Sequence, residues 1–425
     1  MQYAIILFCL LSIVYANNHY KHFYNPITFF CSVWIVAVTL ATMRLNGLYE
    51  TSQKAYTIVF LGTVCFVVSS SFGIKNRIIF RMRKGKLDRE AASSSWSINT
   101  RVVWLFVAIT LLVLIPQVLA VAVLYLQGAS MHDVRVIYAS GESAIVSSNA
   151  ILSVLNTYVS RPFEISVMPL SIIAFYRERK KNWALVICCA LIIIFRIIID
   201  AGRVGIIQWI FSIIFIYTFS SQRLHGRVSQ RIKLRLILIS IVGFIILVYL
   251  SSLREIKNTS TSIYSYICGC LPYLDLKIKE IDSTGILTYG ASGFFGVSSI
   301  IAWLLSIIGI YPAFFTTVTR VASVQEYYFI GTKIEFNSFV STFYHLYIDG
   351  RWLGVMIGML AYGYFCGRYY KNLDKNPNTR RLYIYTLILL GILFSFIRFP
   401  FVKSNYFLAM CFTSFFFKKS EDGAL

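Results

Sequence analysis

Residues Val102–Leu126 read VVWLFVAITLLVLIPQVLAVAVLYL, 25 residues without one charged side chain. A helix needs about 20 apolar residues to cross the hydrocarbon core of a bilayer. This stretch meets that requirement by itself, and it has company. Further apolar runs occupy 3–16, 27–43, 55–74, 150–175, 183–199, 204–220, 236–252, 288–311, 352–370, 382–397 and 405–417. Each is expected to be helical, because lipid offers no water to satisfy exposed backbone groups. Hydrophobic residues make up 57% of the 425-residue chain and charged residues only 14%, against roughly 25% charged in soluble domains. The sequence therefore predicts an all-α, polytopic integral membrane protein. It predicts about 11–13 transmembrane helices in a single membrane domain over 1–425. The segment 3–16 lacks a basic leading region and a cleavage site, so it reads as a first helix and not as a signal peptide.

The net charge of +22 would point to nucleic acid in a soluble chain, but the positions of the charges give a better reading. Of 40 basic residues, 22 fall in 75–89, 177–181, 223–235, 371–381 and the Lys418–Lys419 pair. The loops between them are poor in such residues: Arg44 and Lys54 in 44–54, Arg135 in 127–149, Arg203 in 200–203. Basic short loops mark the cytoplasmic side of a membrane protein. The loops 127–149, 200–203 and 398–404 are then expected to face outward. The charge needs no nucleic-acid partner; topology and the lipid bilayer account for it. Parity adds a constraint. Residues 236 and 370 share a side, so 253–351 crosses an even number of times. That stretch holds one strong apolar run, 288–311, entered through Gly285, Gly290, Gly293 and Gly296. Either the run is re-entrant or interfacial, or it pairs with the weaker 336–348. Both readings leave a large outward-facing loop region at 253–351, and loops that long in compact proteins are usually functional.

The nine cysteines lie mostly inside apolar runs and read as small buried hydrophobes. Cys268 and Cys270 are too close in sequence to bridge without strain. Hydrolase, phosphate-loop and metal motifs are absent. Glu280 and Asp282 form a lone ExD, whose members point to different faces if helical. No internal repeat is visible, which argues mildly against several transporter folds.

What remains is charge at the outward face. Arg203 follows Asp200 in a four-residue tip, Arg254 closes the run 236–252, and Arg398 and Lys403 flank the last outer loop. A charge near helix centre costs about 2.5–3.5 kcal/mol on insertion scales, so such arginines need a partner or a task. Several of them at one leaflet suit a pyrophosphate, which forked guanidinium donors hold well. Arg161 and Glu164, three apart within 150–175, are better read as snorkelling to headgroups or pairing locally than as a site. The segment 335–354, EFNSFVSTFYHLYIDGRWLG, is the most distinctive in the chain. As a helix it sets Asn337, Ser341, His345 and Asp349 four apart on one face. Phe339, Phe343, Tyr344 and Tyr347 flank that stripe, as interface anchors or as platforms for sugar rings.

At this segment the chain resembles the Wzy-type O-antigen and oligosaccharide repeat-unit polymerases. The family's late N-x-[FY]-T/S element is matched by Asn337-Ser338-Phe339-Val340-Ser341. Its D-[FG]-x-x-G turn before a transmembrane helix is matched by Asp349-Gly350-Arg351-Trp352-Leu353-Gly354, with Gly350-Arg351 where Phe-Gly is common. The many helices, the late periplasmic loop and the arginines at outer helix ends are similar too. The resemblance implies a glycosyltransferase C superfamily-like fold in the bacterial inner membrane, active on the periplasmic face. It implies transfer of a growing glycan from undecaprenyl pyrophosphate to an incoming lipid-linked repeat unit. No metal or other cofactor is implied, and a chain-length regulator protein is an implied partner. In that reading Arg203, Arg254 and Arg398 bind the lipid-linked oligosaccharide substrate, Asn337 positions it, and His345 or Asp349 serves as general base. A lipid-linked oligosaccharide flippase and an O-antigen ligase are the alternative readings; a purely structural role is the least economical.

Overall fold

The computed structural model describes residues 1–20, 22–75, 96–130, 149–177, 182–200, 204–225, 259–324, 326–332, 334–336 and 339–419, with 133, 134, 137 and 202. The described chain is mostly helical. Five of the described helices are long and apolar enough to cross a membrane: α1 (Gln2–Tyr20), α3 (Gln53–Lys75), α4 (Thr100–Leu126), α7 (Trp183–Asp200) and α8 (Val204–His225, apolar over Val204–Ser221). This is the architecture of a helical membrane protein. Shorter apolar helices are α2 (Pro26–Thr42) and α11 (Phe295–Ile307). The 13 residues of α11 reach only about 20 Å at 1.5 Å per residue, short of the ~30 Å core. The run 236–252 lies outside the described residues. All nine cysteines are free, and Cys411 alone is exposed.

The chain folds as two compact units. The first is built around α3 and the 35-residue α13 (Ser341–Lys375). Small residues let these two backbones meet. A side chain added at Gly363 would collide with Ser69 and the Phe66 carbonyl. One at Gly367 would run into the Ser70 backbone, and one at Gly73 would lie 2.6 Å from the Tyr364 carbonyl. Ser70 Oγ donates to the Gly363 carbonyl at 2.9 Å across the interface. Lipid tails are as apolar as leucine, so helices associate in a bilayer through such close van der Waals packing and interhelical hydrogen bonds. The contacts 62–355, 70–363 and 73–364 rise together, so α3 and α13 run in the same direction. Their C-terminal ends, which open the basic segments 75–89 and 371–381, therefore share one end of the unit. The opposite end collects the segments 44–54, 275–296, 326–350 and 398–404: Leu48 bridges to Gly331, Ser52 N–H donates to Asp275, and Lys54 pairs with Asp282.

The region 259–351 packs into this end as α9 (Thr259–Cys268), α10 (Cys270–Thr284), α11, α12 (Ala313–Ser323) and a small hairpin, β2 (Tyr328–Phe329) with β3 (Glu335–Phe336). Tyr264 fastens it to the end of α2 by donating to the Leu40 carbonyl and accepting from Leu45 N–H. Within α13 the backbone breaks at Gly350 and at Arg351, whose φ of 55° lies in the left-handed region. At the break Gly354 lies so close to the Leu346 carbonyl that any side chain there would strike it.

The second unit holds α4, α5 (Ala150–Leu155), α6 (Arg161–Arg177), α7 and α8. It also holds a two-stranded sheet, β1 (Trp96–Ile98) antiparallel to β4 (Phe417–Lys419). Phe106 fills its core against Phe163 and Phe416, with ring centroids 5.5 and 5.2 Å away. Between α5 and α6 one π-helical turn, Asn156–Ser160, interrupts the apolar run 150–175.

Candidate functional site

At the polar end of the first unit three segments far apart in sequence converge. They are the glycine-rich turn 288–296, the helix start 341–349, and the loop 398–404. The turn wraps the Asp349 carboxylate, which accepts from Thr288 Oγ1 at 2.6 Å, Ser292 N–H at 3.0 Å and Gly293 N–H at 2.7 Å. Gly290 supplies the positive φ of 93° that bends the chain around it. A side chain at Gly293 would lie 2.6 Å from Asp349 Oδ2, so only glycine lets the backbone close on the carboxylate. Burial raises the Asp349 carboxyl above its ordinary range, while the Thr288, Gly293 and Ser292 donors pull it partly back. With both oxygens engaged, Asp349 holds the turn in place.

One helical turn earlier, His345 is fully buried. Its Nδ1 lies 3.1 Å from Ser292 Oγ, and its Nε2 has no hydrogen-bond partner in the structure. Burial holds the imidazole well below its usual pKa, and the nearby Arg398 charge pushes the same way. The ring is neutral at pH 7, so one nitrogen keeps a lone pair and the other a proton. Thr342 Oγ1 and Ser395 Oγ, both fully buried, also lack partners. Their backbones meet where Thr342 N–H donates to the Ser395 carbonyl at 2.7 Å and Ser341 N–H to the Ile397 carbonyl at 3.1 Å. The loop carbonyls thereby satisfy amides that the first turn of a helix leaves free.

Arg398 spends one arm on the end of α12: Nη2 donates to the carbonyls of Ser323 (2.9 Å) and Val324 (3.3 Å). Arg351 has a defined use as well. Its Nη2 donates to the Ile281 carbonyl at 3.0 Å, and its Nε lies 3.7 Å from Asp282 Oδ1. Asp282 also accepts from Tyr347 and Lys54, whereas Glu280 faces Lys277, so the ExD carboxylates serve different partners. Among the described residues no three His, Cys, Asp or Glu side chains gather as metal ligands would.

Two sequence expectations are corrected here. The aromatics of 343–347 are neither surface anchors nor open sugar platforms. Phe343, Tyr344 and Tyr347 are buried, Phe343 packing on Trp34 with centroids 4.8 Å apart in the space Gly62 leaves. Their hydroxyls serve backbone and carboxylate: Tyr344 donates to the Val321 carbonyl and Tyr347 to Asp282. Nor do Arg161 and Glu164 pair locally. In the second unit Arg161 lies 3.2 Å from Asp200, and Glu164 pairs with Arg196. Arg203, Arg254 and Asn337 lie outside the described residues.

Arg196 is a residue that sequence reading passed over, although its signal was plain: one arginine inside IIIFRIIID. Its Nε donates to both Glu164 oxygens at 2.7 Å, and its Nη2 to Asn156 Oδ1 at 2.8 Å. Ser160 Oγ adds a bond to Glu164 at 3.1 Å. Asn156 and Ser160 belong to the π turn, and such turns are frequent at functional sites. Arg196 Nη1 is buried without a partner. Removing one member of a buried ion pair costs about 3–5 kcal/mol, because the other is left uncompensated. Glu164→Ala is therefore expected to lower the thermal midpoint of the detergent-solubilised protein by about 6 °C or more. The double variant Glu164→Leu/Arg196→Leu should regain most of that loss.

No protein-family model matches this chain, and neither a curated protein nor a solved structure does.

Proposed function

We propose that the chain is a membrane glycosyltransferase of the O-antigen or surface-polysaccharide polymerase type. In this reading about 11–13 crossings in a glycosyltransferase C-like arrangement carry one chemically equipped end, facing the periplasm. A growing glycan leaves undecaprenyl pyrophosphate: the bond from the sugar's anomeric carbon to the pyrophosphate oxygen breaks. A bond to the hydroxyl of the incoming lipid-linked repeat unit forms, and the hydroxyl proton passes to a base. One observation carries the reading: the turn 288–293, the D-G-R-x-x-G break and the loop 398–404 are gathered around His345, at the end of the first unit opposite Lys75 and Lys371.

His345 is the candidate general base because its buried Nε2 has no hydrogen-bond partner; burial keeps the ring neutral but also lowers its basicity. Asp349 is a positioning residue that holds the turn carrying Ser292. Arg203 and Arg254 are the candidate pyrophosphate ligands, Asn337 a candidate sugar ligand, and Arg398 fixes the end of α12 beside the site. The test is the surface polysaccharide of a strain lacking the chain, resolved on gels. Single-repeat caps in place of a long ladder are the expected result. Loss of every cap would indicate a ligase or a flippase, and an unchanged ladder would overturn the transferase reading.

A further inference from the structure

From Ser283 to Thr319 the chain carries no charged side chain. This stretch supplies the turn 288–296, α11, the turn 308–312 and most of α12. Its two ends return to the same place. A side chain added at Gly296 would collide with the backbone of Phe401 and Lys403, so the start of α11 lies on the loop 398–404. At the end of α12 the Ser323 and Val324 carbonyls accept from Arg398 Nη2, on the same loop. At 1.5 Å per residue α11 and α12 span only about 20 and about 16 Å. They form a hairpin rooted on one loop, and not a pair of crossings, each of which needs about 30 Å.

The hairpin is inside out by the rules of a water-soluble fold. The buried residues of α11 are the small Gly296 and Ser298, while Ile301, Leu304 and Ile307 are exposed. Beyond them Ile308 is 67% and Tyr311 75% exposed. The hydroxyls turn back on the hairpin itself. Ser306 donates to the Trp303 carbonyl, Tyr311 to Ser306, Thr317 to Ala313 and Thr319 to Phe315. The turn serves its own backbone as well. Gly309, at a φ of 78°, lets its N–H reach the Ser306 carbonyl and the Ile310 N–H reach that of Leu305, and Pro312 has no N–H to place.

We infer that this hairpin is re-entrant: its apolar face and tip are covered by the hydrocarbon of one leaflet, and it leaves on the side it entered. A protein partner or a second copy would meet a polar rim and hydrogen-bond across it. Here the hydroxyls and the turn amides are spent within the hairpin, as a surrounding without hydrogen-bonding groups requires. Arg320, the first charge after the stretch, is exposed in the last turn of α12, on the return to the root. The hairpin opens from the turn that Asp349 holds, so lipid contact reaches the segment that carries Ser292. The inference does not rest on the transferase reading.

The test places one nitroxide at a time on the purified full chain in phosphatidylcholine vesicles. Cys411→Ala is the background, because that cysteine is exposed. Labels go on Ile308→Cys and, as a second position, Leu304→Cys; both side chains are exposed, so their replacement leaves the fold intact. Lys279→Cys, at an exposed lysine of α10, is the water reference. Labels at Ile308 and Leu304 are expected to collide with oxygen dissolved in the bilayer and to lose the collisions with a water-soluble nickel chelate that the label at Lys279 keeps. Chelate collisions at Ile308 equal to those at Lys279 would place the tip in water and overturn the proposal. Loss of collisions with oxygen and chelate alike would overturn it too, since protein and not lipid would then cover the hairpin.

Discussion

Replacing Gly367 by leucine is expected to abolish folding of the first unit. Even a methyl group at this position would overlap the Ser70 carbonyl oxygen, with the Ser70 carbonyl carbon and Cα at 3.0 Å, and backbone atoms have no rotamer through which to retreat. Overpacking a well-packed contact costs typically 1–3 kcal/mol where side chains can yield. Here α3 and α13 themselves must separate, which also breaks the Ser70–Gly363 hydrogen bond and opens the gap between Gly73 and Tyr364. A loss of about 3 kcal/mol or more is a large part of the 5–15 kcal/mol that holds an ordinary protein together. Little monodisperse protein should survive extraction in detergent, as read by size-exclusion chromatography. Gly367→Ala should fall between it and the wild type. Gly205→Ala should behave as the wild type, because its added carbon meets only the tips of Met168 at 3.4 Å and Ile193 at 3.9 Å, ordinary van der Waals contacts.

On the proposed transferase reading, Asp349→Ala is expected to remove polymer while leaving a protein that still inserts. The carboxylate is the common acceptor for Thr288, Ser292 and Gly293, and nothing else within the turn replaces it. Hydrogen bonds to a charged group contribute about 1.5–3 kcal/mol, so the turn loses its anchor at a cost of a few kcal/mol, confined to the 288–296 segment. Ser292 then leaves its 3.1 Å contact with His345. Misplacing a reacting constellation by about 1 Å costs on the order of a hundredfold in rate. Long-chain product should vanish from gels of a strain carrying the variant, with normal protein level on immunoblots. Asp349→Asn keeps oxygen for Thr288 and Ser292 but turns an amide toward Gly293 N–H, and should retain intermediate activity.

The helices were legible because lipid-crossing segments advertise themselves. The runs 55–74, 102–126 and 183–199 match Gln53–Lys75, Thr100–Leu126 and Trp183–Asp200 within two residues. Legibility failed where polar groups cut an apolar run. The run 382–397 is helical only as Thr379–Leu393, since the carbonyls of Ser395 and Ile397 turn away to receive the amides of Thr342 and Ser341. The run 288–311 begins as a turn because Asp349 draws in the amides of 292 and 293. The His345–Asp349 stripe was readable from its spacing of four. Its partners were not, for Thr288 and Ser292 lie 61 and 53 residues away and no periodicity links them. The close approach of α3 and α13 had a signal that went unused, the G-x-x-x-G of Gly363-Tyr364-Phe365-Cys366-Gly367. Likewise the Arg161–Glu164 spacing invited a local pair, but opposite charges on the adjacent helix, Arg196 and Asp200, offered each a partner.

The most direct test of the transferase reading incubates the purified chain with lipid-linked repeat units extracted from a strain lacking it. A ladder of products rising by one repeat, with release of undecaprenyl pyrophosphate and no ladder from Asp349→Ala, is the expected result. Unchanged repeat units in the presence of folded wild-type protein would contradict it.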